Sequence, residues 1–279
     1  VNLSTKPGPI GIFDSGYGGL SILQEIHRLM PEYDYLYVGD NARQPYGTRS
    51  FEIVYEFTRE AVRYLFEQGC HLVILACNTA SAKALRTIQQ CDLPEWDASR
   101  RVLGIIRPTA EIVGELTQSR HVGIMATNGT VRSQSYPIEI RKLHPDITVA
   151  QEACPMWVPL VENYEFNTPG ADYFVQKYLG ELMEKDPEID TIILGCTHYP
   201  LLIEKIRRFT PEHVRIVPQG TYVAQSLHDY LQKHTEMERK CTQGGTCRFF
   251  TTESSDKFKE SAAVFLQTHE MTVEQITLK

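Results

Sequence analysis

The sequence predicts an α/β protein of two similar halves, pseudo-two-fold related, each a mainly parallel sheet flanked by helices, with the active site in the cleft between them. Three observations predict it. Short, nearly continuous apolar runs alternate with longer segments of helical periodicity along the chain, as expected of parallel strands covered on both faces. PIGIFDSGYGG (9–19) is echoed by HVGIMATNGTV (121–131), each a strand with Gly-Ile followed by a polar, glycine-containing turn. VILACNTA (73–80) is echoed by IILGCTHY (192–199), each a strand that ends on a cysteine and runs into a helix. Turn and then cysteine therefore occur twice in the same order, a long-period duplication rather than a short-period array.

The elements follow in order. PIGIF (9–13) is a strand, and LSILQEIHRLM places Leu20, Leu23, Ile26 and Met30 at helical spacing before Pro31 stops the helix. Strands are expected at YLYV (35–38), LVILA (72–76), VLGII (102–106), HVGIMA (121–126), ITVA (147–150), TIIL (191–194), RIV (215–217) and RFFT (248–251). Helical segments between them cover 50–68, 79–90, 107–118, 130–143, 168–185, 199–209, 221–234 and 255–267. The second half begins near residue 105. The segment after about 217 is not needed to complete that half, so it is expected to return to the first. The domains expected are 1–104 plus 218–279, and 105–217.

Composition narrows the function. The chain has 279 residues, 42% hydrophobic and 23% charged, ample for a buried core. A net charge of −7 and the lack of a basic arm argue against nucleic acid as a partner. No apolar run reaches the length of a membrane span, and VNLSTKPGPIGIF lacks the build of a signal peptide, so a cytoplasmic location is expected. The seven cysteines are read as free thiols, with no C-x-x-C pair among them. Cys70 and Cys91 read as small buried hydrophobes. The segment from Cys241 to Cys247, CTQGGTC, reads as a solvated loop or hairpin rather than a metal site.

Cys77 and Cys196 are different. Each lies at a strand end just before a helix, where the first-turn amides favour negative charge and can lower a thiol pKa. Asn78, Thr79 and Thr197 add amide and hydroxyl groups able to hold a carboxylate beside those amides. In open parallel sheets ligands bind beyond the C-terminal ends of the strands, which is where both cysteines and both glycine turns fall. DSGYGG (14–19) fails as a dinucleotide fingerprint, since the sixth residue of GYGGLS is Ser21. Its Asp14 and Ser15 instead point toward the expected cleft, with Thr127 and Thr130 of the partner turn. GDNARQPYGTRS (39–50) follows a strand, and Pro45, Tyr46 and Gly47 form a fixed loop suited to substrate contacts. His198, two residues past Cys196, is placed for acid–base work. Glu162 carries no signal from pattern alone.

One acyl-transfer nucleophile would leave the second thiol idle. Inversion of a stereocentre needs two acid–base groups, one removing a proton from a face of Cα and the other delivering a proton to the opposite face. A duplicated scaffold supplies that arrangement, and amides at both helix starts can stabilise the charge that spreads onto a carboxylate. No pyridoxal-phosphate or metal motif is evident, so no cofactor is expected. A two-lobed small-ligand binding protein with idle thiols, and a cysteine hydrolase using Cys196 with His198, are the alternatives from other classes.

The set FDSGYGGLS, GDNARQPYG, ILACNTASA, ATNGT, CPMWVPLVE, GCTHYPLL and RFFTTES, in order along nearly the whole chain, resembles the glutamate racemases of the cofactor-independent aspartate/glutamate racemase family. The resemblance implies interconversion of L- and D-glutamate, with D-glutamate supplied to peptidoglycan. It implies Cys77 as the base toward D-glutamate, Cys196 as the base toward L-glutamate, and Asp14, Glu162 and His198 as catalytic companions. It also implies substrate contacts from Ser15, Asp40, Pro45, Tyr46, Gly47, Asn78, Thr79, Thr127, Thr130 and Thr197. Two α/β domains around a cleft, often as a homodimer, complete what it implies; a racemase for another acidic amino acid is the same-class alternative. Asn41 and Gln44 in the PYG loop, and the CTQGGTC segment, depart from the family pattern.

Overall fold

A computed structural model of the chain describes residues 3–266 and 271–279. The first part runs β1 (Ile10–Asp14), α1 (Leu20–Leu29), β2 (Tyr35–Gly39), α2 (Phe51–Glu67), β3 (Leu72–Leu75) and α3 (Asn78–Lys83). It continues through the short helices α4 (Leu85–Thr87) and α5 (Leu93–Trp96), β4 (Arg101–Gly104) and α6 (Ile106–Leu116). Next come β5 (His121–Ala126), α7 (Asn128–Ser133), α8 (Ser135–Leu143), β6 (Thr148–Ala153), α9 (Trp157–Glu162), α10 (Pro169–Lys185) and β7 (Thr191–Gly195). The chain ends with α11 (Ile203–Phe209), β8 (Arg215–Val217), α12 (Gly220–Lys233), α13 (Thr235–Glu238), β9 (Cys247–Thr251), α14 (Ser255–Leu266) and β10 (Val273–Gln275).

All the paired strands are parallel and form two sheets, ordered β10-β9-β2-β1-β3-β4 and β6-β5-β7-β8. The run β2-β1-β3-β4 and the whole second sheet share one order, so the duplication seen in the motifs is also a duplication of topology. Alternate residues feed opposite faces, as the pleat requires. Ile10, Ile12, Tyr35 and Tyr37 pack beneath α1 and α12, while Phe13, Leu36, Val38, Val73 and Leu75 pack against α2. In the second sheet Met125, Ile192 and Leu194 face α10, and Val122, Ile124 and Ile193 face α6 and α8. Both faces are covered, which is why these strands read as unbroken apolar runs.

Local chemistry sets the helix starts. Ser50 caps α2 by accepting from the Ile53 N–H at 3.3 Å, and Pro169 opens α10, where its missing N–H costs nothing. The 130–143 segment is two helices, α7 and α8, broken at Gln134, whose φ of 57° is left-handed. The 199–209 segment starts as a 3-10 turn over Tyr199–Leu202.

Other differences have identifiable causes. β6 runs three residues past 150, carrying polar Gln151 and Glu152 that periodicity does not mark as strand. α9 has only six residues and contains Pro159, too short to show a period. β10 pairs with β9, which pairs with β2, so the chain end joins the first sheet. Cys91 is exposed, not buried. It lies in a π-helical turn, Ile88–Asp92, whose extra residue turns Asp92 inward instead, to accept from Tyr55 and Arg59 at 2.9 and 2.6 Å. The CTQGGTC segment is anchored rather than loose: Cys241 is buried and bridges Gly8, Cys247 opens β9, and Asp34 accepts from the Thr246 N–H and hydroxyl. Residue 267 of the last expected helix lies outside the described residues. Among the described residues no helix is long and apolar enough to cross a membrane.

The halves meet along the C-terminal ends of both sheets. Gly129 N–H donates to the Gly47 carbonyl at 2.8 Å, and the Ser21 hydroxyl to the Thr197 carbonyl at 3.1 Å. Thr79 and Thr127 hydroxyls lie 2.9 Å apart, from α3 and from the cap of α7.

Candidate active site

A cavity of about 90 Å³ lies between the two rows of strand ends. It has room for a few waters, a small-molecule compartment rather than a channel. Segments after six strands reach it: Asp14-Ser15 after β1, the 44–48 loop after β2, Cys77 after β3, Thr127 after β5, Cys154-Pro155 after β6 and Cys196-Thr197 after β7. Because β1 and β3 correspond to β5 and β7 in strand order, the two halves present matching turns to one space.

On one side Cys77 is the residue before α3. Its sulfur accepts from the Ala80 N–H at 3.4 Å and lies 3.3 Å from the Ser15 hydroxyl. The sequence places this thiol where a helix start would lower its pKa. The structure corrects that: burial, and then the nearby Asp14 carboxylate, push it up to about 12, outweighing those two hydrogen bonds. Asp14 is also buried, and burial raises its pKa against the pull of the His198 charge and the Gly19 and Gly16 amides. One carboxylate oxygen accepts from the Gly16 N–H at 2.9 Å; the other is buried with no donor among the described residues.

The opposite side is arranged differently. His198 Nδ1 is 3.8 Å from the Cys196 sulfur, and its Nε2 is 3.0 Å from Glu162, the last residue of α9. Burial works against a charged imidazole here, but the bonds to Cys196 and Glu162 outweigh it and raise the His198 pKa well above the ordinary value. His198 thus lies between the Cys196 sulfur and the Glu162 carboxylate, partners that favour its charged form. The Phe265 ring meets it edge-on, with centroids 5.9 Å apart. The glycines of DSGYGG permit the approach: a Cβ on Gly18 would overlap Thr197 and His198.

Of the residues singled out in the sequence, Asp14, Ser15, Pro45, Tyr46 and Gly47 reach the cavity from turns of the first sheet. So do Cys77, Asn78 and Thr79, while Thr127, Glu162, Cys196, Thr197 and His198 come from the second. Two do not reach it. Asp40 is fully buried and spent within its own loop, accepting from Tyr46 at 2.5 Å, Arg43 at 2.7 Å and Thr252 at 2.8 Å. It ties the PYG loop together behind the cavity wall. Thr130 stands behind Thr127, with hydroxyls 3.2 Å apart.

The wall also includes residues that pattern reading passed over: Gln44, Thr48 and Asn128 beside the expected ones, and Cys154, Pro155, Val158 and Pro159. Cys154 directly follows β6, so it repeats the strand-then-cysteine signal. Ending that strand at 150 concealed it. The prolines and Val158 give no chemical signal in sequence.

Two thiols from two sheets therefore share one small buried space, close enough that Cys196 is among the groups that raise the Cys77 pKa. One stands beside the buried Asp14 carboxyl and the Ser15 hydroxyl, the other beside the His198 imidazole. Threonine side chains, Asn78 and the apolar Pro45, Pro155, Val158 and Pro159 line much of the rest.

Comparison with known proteins gives a consistent picture. The sequence model described as Asp/Glu/Hydantoin racemase matches residues 10–227. A glutamate racemase of Shouchella clausii (strain KSM-K16) is 37% identical, over 97% of this chain and 94% of that protein. The structure is similar to a glutamate racemase from Bacillus anthracis, with TM-score 0.88, 34% identity and coverage of 97% of this chain and 98% of the other. It is also similar to the Francisella tularensis enzyme solved in complex with D-glutamate, with TM-score 0.84, 32% identity and coverage of 96% and 97%.

Proposed function

The chain belongs to the Asp/Glu/Hydantoin racemase family, and from that premise we propose that it interconverts L- and D-glutamate by two-base proton transfer at Cα. The observation that carries this reading is the pair of thiols, one from each half, lining a single cavity.

In this reading L-glutamate binds with its Cα–H toward Cys196. The thiolate takes the proton, and the electron pair of the broken C–H bond spreads into the α-carboxylate. Thr79, Thr197 and the amides at the start of α3 hydrogen-bond that developing charge. Cys77, its thiol held protonated by burial, gives its proton to the opposite face and forms the new C–H bond. The sulfurs end with exchanged protonation states. D-glutamate runs the same path backward, with Cys77 as base, its thiolate favoured by the incoming α-ammonium. Asp14 keeps Cys77 company as an acid of raised pKa, and Glu162 fixes the His198 ring and charge beside Cys196. The product would feed peptidoglycan synthesis in the cytoplasm. A homodimer belongs to the same reading.

The test is racemisation of each enantiomer, followed by circular dichroism without added cofactor and by mass spectrometry in deuterium oxide. From either enantiomer, product should carry solvent deuterium at Cα well before the remaining reactant does. Cys77→Ala and Cys196→Ala should each abolish turnover. Wild-type turnover in either variant would defeat the two-base scheme.

A further inference from the structure

The chain crosses between the halves at Ile105, between β4 and α6, and again before α12 at Gln219. These crossings are joined by hydrogen bonds. The Gln219 amide nitrogen lies 3.1 Å from the Ile105 carbonyl, 3.2 Å from the Thr109 hydroxyl and 2.5 Å from the Tyr136 hydroxyl. The same hydroxyl is 2.9 Å from the Asn78 amide, in the first turn of the helix that follows Cys77. Gln219, Tyr136 and Asn78 are buried, so no part of this chain of contacts is supplied by solvent. The Tyr136 ring has a second role. A Cβ at Gly195, the residue before Cys196, would meet it at 3.1 Å. One tyrosine therefore stands behind both thiol-bearing turns.

The polarity of these contacts can be followed step by step. The Ile105 carbonyl can only accept, so it holds the nitrogen end of the Gln219 amide in place. Gln219 then has an N–H for the Tyr136 hydroxyl oxygen. The tyrosine keeps its own proton, since burial raises its pKa, and that proton needs an acceptor. Asn78 is the remaining neighbour. With its nitrogen toward the hydroxyl, the Asn78 oxygen is left buried with no donor among the described residues. A half-turn of the amide exchanges nitrogen and oxygen at nearly the same positions. The hydroxyl then donates to the Asn78 oxygen, and the NH₂ group faces the cavity. That arrangement gives the Tyr136 proton an acceptor and presents donors where an amino-acid carboxylate would lie.

We infer that Tyr136, held by Gln219, is a positioning residue that fixes the Asn78 amide with its NH₂ toward the substrate carboxylate. The inference rests on the racemase reading only in taking an amino-acid carboxylate as the ligand.

A double-mutant cycle tests it, using wild type, Tyr136→Phe, Asn78→Ala and the double variant. Both kcat/KM and the calorimetric Kd for glutamate are measured. Phenylalanine keeps the ring against Gly195 and removes only the hydroxyl. Loss of one hydrogen bond serving a charged ligand predicts roughly a 10-fold fall in affinity and in kcat/KM. In the Asn78→Ala background the same change should cost less than about 2-fold, because Tyr136 acts through Asn78. Equal losses in both backgrounds would overturn the inference, since a general effect on folding is indifferent to Asn78. Gln219→Leu, which removes the anchoring donor, should repeat the pattern if Tyr136→Phe does not fold; losses independent of Asn78 there also overturn it. Should wild type bind glutamate without racemising it, the racemase reading fails and the cycle is scored on Kd alone. Absence of both binding and turnover removes both.

Discussion

Gly18→Ala tests how closely the two halves must approach. The methyl carbon would sit 2.5 Å from His198 Nδ1 and 2.8 Å from Cε1, and would also overlap the Thr197 hydroxyl. Ordinary contact begins near 3.4 Å, so the imidazole must retreat by about 0.9 Å, the difference from 2.5 Å. The ring has no free direction in which to move, being 5% exposed and held at 3.0 Å by Glu162. Overpacking of this kind costs about 1–3 kcal/mol. A displacement near 1 Å beside a reacting group can remove about 100-fold in rate. The expected result is a fall in kcat/KM of about 100-fold by circular dichroism, with a melting temperature lower by several degrees. Gly180→Ala is the control. Among the described residues, no atom beyond its chain neighbours and the nearby backbone of α10 lies within 4 Å of the added carbon. It should gain about 0.5–1 kcal/mol from helix propensity with unchanged turnover. Wild-type kcat/KM in folded Gly18→Ala would refute the argument from close approach.

Two further outcomes follow from the charges. The raised His198 pKa means the folded protein binds this proton more tightly than the unfolded chain, whose value is near 6.5. The stabilisation is fully present below that pH and is lost as pH rises through the folded value. Glu162→Gln removes the opposing charge, so scanning calorimetry should show a shallower decline in melting temperature above about pH 6.5 than in wild type; parallel curves would contradict the pairing. Arg100→Met should act on stability alone. The buried guanidinium donates to the Phe66 and Ser4 carbonyls at 2.9 and 2.8 Å, to the Cys70 carbonyl, and to Asp97 at 3.2 Å. Its loss leaves buried acceptors unpaired, at a cost of about 3–5 kcal/mol. Denaturant melts should register that cost while kcat/KM at low temperature stays near wild type; an unchanged midpoint would show that the network contributes nothing.

The parts of the site legible in the sequence share one property: their chemistry is written in adjacent residues. Cys77 with Asn78 and Thr79, and Cys196 with Thr197 and His198, each follow a strand that its own apolar run announces. Asp14 and Ser15 are legible in the same way. Asp40 enters only through family resemblance, and its side chain is taken up by Arg43, Tyr46 and Thr252 outside the cavity wall. Glu162 carried no signal except through family resemblance, because α9 has only six residues and its value lies in a partner 36 positions away. Cys91 faced outward because a π turn, which no periodicity announces, rotated it.

By itself the sequence determined the alternation of strand and helix, the duplication, and the two cysteines at strand ends, since each depends on spacing within a few residues. The tertiary structure alone decided how those pieces act on one another. It buried Cys77 beside Asp14 and so raised a thiol that a helix start would have lowered. It set Glu162 against His198, raising the pKa of the imidazole beside Cys196, and it brought Tyr136 behind both thiol turns. Desolvation and charge pairing depend on distance through space, and residues far apart along the chain acquire those distances only when the two sheets close on each other.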